Sequence, residues 1–327
     1  MSQEMSLESC LEIIKPGVIS LLQDYGRYGM QHYGITNSGP MDEHAYLWAN
    51  KILGNHFNAP QIEVCMGGFE ARFSKPTVIA ICGANLLPTL NRSPIKTWQT
   101  HTVKEGDVIR FSGAKHGLYA YLAILSGFKV EPQLSSCSTV MREQLGGLHK
   151  NGEKLKAGDL LPYQAQSNKR ERNIAPYVVI VPEECIPRYA DSINLRFVPN
   201  LSENGCDQTT INAFIQQSIH QGCRVSNDIN RMGYRLQGVS LSDPNQNIIS
   251  QGISTGFIQL PKDGQPIVLM KDRQTIGGYP LLGCVAHLDL ALLSQSKPGV
   301  KVSFTPVEVG DLEGELVEYF RFFDVTY

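Results

Sequence analysis

The stretch VKEGDVIRF, Val103 to Phe111, reads as a tight turn feeding a short strand. Glycine supplies positive φ at Gly106 and Asp107 can bond its own backbone, so Gly-Asp starts a strand after a turn. LKAGDLLPY, Leu155 to Tyr163, repeats the pattern, and Val307-Glu-Val-Gly310-Asp311-Leu312 reads as a third, looser copy. Such turns occur in any β protein, so the repeat bears on layout and carries no chemistry. Outward from it lie further strand-like runs: Val18–Leu22, Thr77–Cys82, Tyr119–Leu125, Tyr177–Val181, Ile267–Met270 and Val300–Phe304. Many short strands with regular turn signals argue for a β-sandwich or β-barrel.

Helices are few. Pro40–Leu53 opens with proline in its first turn and Asp42 at its positive end. Met41, Ala45, Trp48 and Ile52 form its apolar stripe, and Gly54-Asn55 stops it. Asp207–Gln221 puts Ile211, Phe214, Ile215 and Ile219 on one face before Gly222, and Leu288–Ser296 ends ahead of Pro298-Gly299. The polar, charged run QAQSNKRERNIAP, Gln164–Pro176, reads as a boundary between mainly β domains at 1–165 and 176–327. A length of 327 residues fits about two domains.

Apolar residues make up 42% and charged ones 18%, which excludes disorder and coiled coil. Lysine and arginine number 29 against 31 acids, a net charge of -2. That balance gives no basic footprint for nucleic acid and no pull toward an anionic membrane. The eight cysteines form no Cys-x-x-Cys pair and read as reduced thiols. Acidic residues occupy the N-terminus where a signal peptide needs an apolar core, and Leu118–Phe128 is too short to span a bilayer. A cytoplasmic location is expected.

No Walker A loop, Gly-x-Gly-x-x-Gly, Gly-x-Ser-x-Gly or His-Glu-x-x-His occurs. The histidines lie far apart, so no local metal site is expected. Met270-Lys271 lacks the Met-Lys-Met context of a biotinylated lysine, so no covalently bound biotin is expected. Polar residues do gather among glycines. Gln23-Asp24-Tyr25-Gly26-Arg27 follows a strand, and Ser38-Gly39-Pro40-Met41-Asp42 opens the first helix. Asn230 to Leu236 sets Arg231 and Arg235 around Gly233, and Lys271 to Pro280 is a polar turn with a Gly-Gly pair. Glu63 precedes the Gly67-Gly68 turn. Arginines near carboxylates suit recognition of a carboxylate or phosphate, and equally suit a structural ion-pair network.

The runs LLQDYGRYG (21–29), SGPMDEHAYLWANKILGN (38–55), NRMGYRLQG (230–238), GFIQLPKDGQPIVLMKDRQTIGGYP (256–280) and QSKPGVKVSF (295–304) carry a family resemblance. In this order they resemble the biotin-dependent carboxyltransferase-like family. It includes the C-type subunit of the ATP-dependent 5-oxoprolinase, the Kip antagonist (allophanate hydrolase subunit 2-like) proteins and the second half of the urea carboxylase carboxyltransferase domain. The resemblance implies tandem cyclophilin-like β-barrel domains with a few short helices. It implies a cytoplasmic 5-oxoprolinase acting with a B-type (Kip inhibitor-like) and an A-type subunit, and inactive without them. The lactam 5-oxo-L-proline would be opened to L-glutamate with ATP and Mg2+, which are needed at the level of the complex. Catalytic roles fall on Asp24, Arg27, Asp42 and Arg231. Substrate contacts fall on Gln23, Ser38, Gly39, Met41, Asn50, Glu63, Gln274 and Tyr279.

Other family members point elsewhere: to carboxyl transfer from carboxybiotin to a urea-like amide, or to regulation by antagonising a histidine-kinase inhibitor. Tyr119, Cys137 and Glu153 stand where the family carries arginines, and they leave substrate and activity open.

Overall fold

The structure, a computed structural model, describes residues 9–165, 178–200, 205–242 and 248–326. The chain divides into two compact units, residues 1–27 with 43–187, and residues 28–42 with 188–327. Residues 166–177, most of the expected boundary, lie outside the described ones. The units differ from a simple 1–165 and 176–327 partition because residues 28–42 belong to the second.

The first unit is two antiparallel sheets around one apolar core. Six strands run in the order Leu160–Pro162, Cys10–Pro16, Phe69–Phe73, Val108–Phe111, Pro88–Leu90 and Ser93–Pro94. Five more run Ile19–Gln23, Gln61–Cys65, His116–Ile124, Thr77–Asn85 and Gln99–Val103. Strict alternation faces Phe69, Ala71 and Phe73 inward and turns Glu70 and Arg72 out. On the outer face Glu70 meets Arg110 in register at 2.8 Å, which holds the Glu70 carboxyl below its usual pKa. Leu11, Ile13, Ile62, Ile81 and Leu122 fill the core between the sheets, each worth roughly 1.5–3 kcal/mol of burial.

His116–Ile124 is buried at every position after its first, because a helix covers the outer face of its sheet. This is α1, Glu43–Leu53. Gly83, at φ +91°, lets it approach: a Cβ there would lie 2.5 Å from the Tyr119 carbonyl oxygen and 3.4 Å from the Ala45 Cβ. Helical structure begins at Glu43 rather than Pro40.

The second unit contains a closed seven-stranded barrel. Its order is Ser192–Pro199, Leu281–Val285, Phe257–Gln259, Ile267–Leu269, Gly233–Gln237, Arg224–Ile229 and Lys301–Pro306, closed by parallel pairing of the last strand with the first. Phe197, Phe214 and Phe304 pack their rings 4.6–5.8 Å apart in its core. Phe214 comes from α2, Gln208–Gln217, whose N-cap Asp207 accepts from the Thr210 N–H at 2.6 Å. A short α3, Leu290–Ser294, precedes the closing strand. The mainly β expectation with few helices therefore holds, and no described helix is long and apolar enough to cross a membrane.

Two Gly-Asp copies behave as expected. Asp107 accepts from the Lys104 N–H and Asp159 from the Lys156 N–H, both at 2.8 Å, and each turn leads into a strand. The third copy does not. Gly310-Asp311 lies inside α4, Val309–Phe322, where Glu308 and Asp311 form a capping box. Apolar residues at 309, 312, 316 and 320 follow helical spacing, and that spacing decides the outcome. Val178–Val181 runs extended beside Gln99–Val103 through a single bridge, Gln99 to Ile180, rather than as a strand of its own, and Tyr177 lies outside the described residues.

Candidate functional site

In the first unit, Asp24 lies just past the strand Ile19–Gln23 and is 3% exposed. Its Oδ1 accepts from the Ser136 hydroxyl at 2.6 Å, the Ser138 hydroxyl at 2.7 Å and the Gly26 N–H at 3.1 Å. Its Oδ2 accepts from the Cys137 N–H at 2.6 Å. Arg27, fully buried, works on the same loop from the opposite charge. Its Nε donates to the Gln133 carbonyl, and its Nη2 to those of Ser136 and Ser138 at 3.2 and 3.0 Å. A carboxylate for the loop's donors and a guanidinium for its carbonyls together clamp residues 133–138. The Cys137 thiol donates to the Val130 carbonyl, and burial pushes its pKa up to about 12.

Three other expected residues of this unit are also buried. Gln23 donates to the Thr139 carbonyl at 3.1 Å, while its Oε1 has no partner among the described residues. Asn50 donates to the Phe57 and Ala59 carbonyls and accepts from Asn55, tying off the end of α1. Glu63 accepts from the Tyr121 hydroxyl at 2.7 Å. Tyr119 is 7% exposed on a central strand, and Glu153 ion-pairs with Lys156 on the surface.

The second unit assembles a separate cluster around Arg231, which is 7% exposed. Its Nε and Nη2 fork onto Asp272 Oδ2 and Oδ1 at 2.8 and 2.9 Å. The same Nη2 reaches the Ser38 hydroxyl at 3.2 Å and the Gly39 carbonyl at 2.7 Å. The Thr36 hydroxyl donates to the Lys271 carbonyl, and Asp42 Oδ2 accepts from the Tyr189 hydroxyl and the Gln295 amide at 2.8 and 2.7 Å. These bonds dock residues 36–42 into the second unit. Ser38 at φ +55° and Gly39 at φ +98° give the backbone the bend it needs, and Met41 is buried beside them.

Past Asp272, Gln274 and Tyr279 are exposed. Between them, Gly277 leaves room for Gln259, whose Nε2 would sit 2.5 Å from a Cβ at that position. The structure thus joins Arg231 directly to Ser38 and Gly39, holds Asp42 of the same segment through Tyr189 and Gln295, and joins Asp24 and Arg27 through one loop. Sequence reasoning missed Asp272, Tyr189, Gln295, Ser136 and Ser138, which hold those residues. Asp272 and its neighbour Arg273 stand inside the polar turn Lys271 to Pro280, but no local pattern marks a pairing 41 residues apart.

Residues 33–306 match the family described as carboxyltransferase domain, subdomain A and B. The chain belongs to that family. As a carboxyltransferase A/B family chain it is 33% identical over 295 residues to the Escherichia coli K12 protein named as the C subunit of 5-oxoprolinase, covering 90% of each chain. The like-named protein of Haemophilus influenzae is 34% identical, with 88% of each covered. The crystal structure of the K. lactis urea amidolyase superposes with a TM-score of 0.86 at 26% identity, over 98% of this chain and 20% of that one.

Proposed function

We propose that this carboxyltransferase A/B family chain is the C-type subunit of a cytoplasmic 5-oxoprolinase, which hydrolyses 5-oxo-L-proline to L-glutamate in a hetero-oligomer with A- and B-type subunits. The observation that carries the reading is the near end-to-end match to relatives named as C subunits of 5-oxoprolinase, against a match to only 20% of the urea amidolyase. ATP with Mg2+ would supply phosphoryl activation of the lactam carbonyl. The candidate residues do not fit that nucleotide. The Asp24 carboxylate already accepts four hydrogen bonds, and Arg231 is neutralised by Asp272. We therefore assign ATP to the partner subunits.

In this reading Asp24 and Arg27 are positioning residues for the loop 133–138. Arg231, Ser38, Gly39 and Asp42 position residues 36–42 and the turn that follows Lys271. Gln274 and Tyr279, exposed beyond that turn, face the substrate. The test is 5-oxo-L-proline-dependent ATP hydrolysis by the chain alone and mixed with its A- and B-type partners. Turnover only in the mixture is expected, and a stable complex without turnover overturns the reading.

The close superposition on the urea amidolyase favours one alternative, carboxyl transfer to a urea-like amide. It calls for a biotin carrier to deliver the carboxyl group. Carboxybiotin-dependent carboxylation of urea would establish it.

A further inference from the structure

Beside the Arg231–Asp272 pair, the second unit holds a cavity of about 210 Å3 walled in part by Arg273, Gln259, Gln274, Asn230, Met232 and Leu269. That lies below the roughly 300–1,000 Å3 of sites for drug-sized ligands and suits a small metabolite. Arg273 is 4% exposed. Its Nε donates to the Ile253 carbonyl at 3.3 Å, and its Nη1 is buried with no acceptor among the described residues. Burial drags the guanidinium below its usual pKa, against a counter-pull from Tyr28, Cys284 and Asp272.

The nearby acids are paired. Asp272 is forked by Arg231, and Asp263 pairs with Arg235 at 2.6 Å. Asp228, itself on the cavity wall, pairs with Arg235 of the same wall at 3.5 Å. Asn230 spends its Oδ1 on the Met232 and Gly233 N–H groups, which leaves its amide N–H donors for a ligand. A buried guanidinium with no carboxylate is unfavourable for the fold alone, and such departures concentrate where a ligand completes the pairing.

We propose that this cavity is a carboxylate-binding subsite, in which Arg273 grips the carboxylate of a small ligand while Gln259 and Gln274 bond its remaining polar atoms. The planar guanidinium matches a carboxylate's two oxygens, and Met232 and Leu269 supply an apolar wall. Only the identity of the ligand rests on the 5-oxoprolinase reading: 5-oxo-L-proline carries a carboxylate next to its lactam, whereas urea carries none.

The experiment is calorimetric titration of the full chain with 5-oxo-L-proline, 2-pyrrolidinone (the same lactam without the carboxylate) and L-glutamate. It is run on the native protein, Arg273→Met and Arg273→Lys. The expected result is a preference for 5-oxo-L-proline over 2-pyrrolidinone of roughly 10- to 100-fold, erased in Arg273→Met and reduced in Arg273→Lys. Arg273→Met should also melt at or above the native temperature without ligand, because it removes an unpaired buried charge. Arg273-dependent binding of L-glutamate but not of 5-oxo-L-proline keeps the subsite and removes the 5-oxoproline assignment. Binding indifferent to the carboxylate or to Arg273, no carboxylate binding at all, or a sharply lowered melting temperature in Arg273→Met overturns the subsite.

Discussion

Arg231 and Asp272 hold each other through two parallel hydrogen bonds, at 2.8 and 2.9 Å, with both side chains 7% exposed. Removing one member strands the other charge in the interior. Arg231→Met is expected to destabilise by about 3–5 kcal/mol, enough to lower the melting temperature by on the order of 10 °C. The double variant Arg231→Met/Asp272→Leu should recover most of that loss. Thermal unfolding of both variants and the native chain checks this. A double variant no better than the single one would show that the pair's value lies in its other contacts.

The Asp24 carboxylate accepts from three donors at residues 136–138 and from the Gly26 N–H. Asp24→Ala leaves those donors unsatisfied and should cost on the order of 3 kcal/mol. It should also speed hydrogen exchange at the amides of Cys137 and Ser138. Asp24→Asn should sit close to alanine, because its amide N–H2 would face donors. Unchanged stability with lost turnover would instead place Asp24 in the chemistry.

Glycines at positive φ separate into two classes. Gly146, at φ +70°, backs onto the Ser138 carbonyl oxygen and lies 2.8 Å from Arg27 Nη2, measured from where a Cβ would stand. Gly106, at φ +82°, has nothing within 4 Å of that point. Gly106→Ala should therefore cost only its backbone strain, about 1–2 kcal/mol. Gly146→Ala breaks the clamp as well and should cost more than about 3 kcal/mol. Urea midpoints of the two variants give the comparison.

Burial raises the thiols of Cys137 and Cys223 from 9.0 to about 12, and that of Cys284 to about 11. A raised acid keeps its proton in the fold while the unfolded chain ionises. The stabilisation is complete below about pH 9 and is lost as pH rises toward 12. Native protein at about pH 8 should leave these three thiols unlabelled by a thiolate-seeking reagent, and unfolding should release them. Peptide mapping after labelling provides the readout, and rapid native labelling of Cys223 would contradict its burial.

Periodicity made the β architecture legible, because alternation in runs such as Phe69–Phe73 is a local consequence of a half-buried sheet. The same locality explains the error at Gly310-Asp311. Asp107, Asp159 and Asp311 all accept from the N–H three residues earlier, so the local bond is common to a turn before a strand and to a helix start. Only the apolar spacing further on distinguishes them. The site was legible as a set of residues and illegible as a set of partners. Arg231 stood out by its chemistry, yet its bonds run to Ser38 and Asp272, 193 and 41 positions away.

Residues 28–42 belong to the second unit although they precede most of the first. During synthesis this segment leaves the ribosome early, while Gln295, which holds Asp42, follows 253 residues later. At about 5–20 residues per second the wait is roughly 10–50 seconds. Tyr189 and Arg231 arrive earlier, 147 and 193 residues after Asp42 and Ser38. Until Gln295 follows, the nascent chain still carries this stretch without its full set of partners, so it is where a chaperone or a protease would first find purchase.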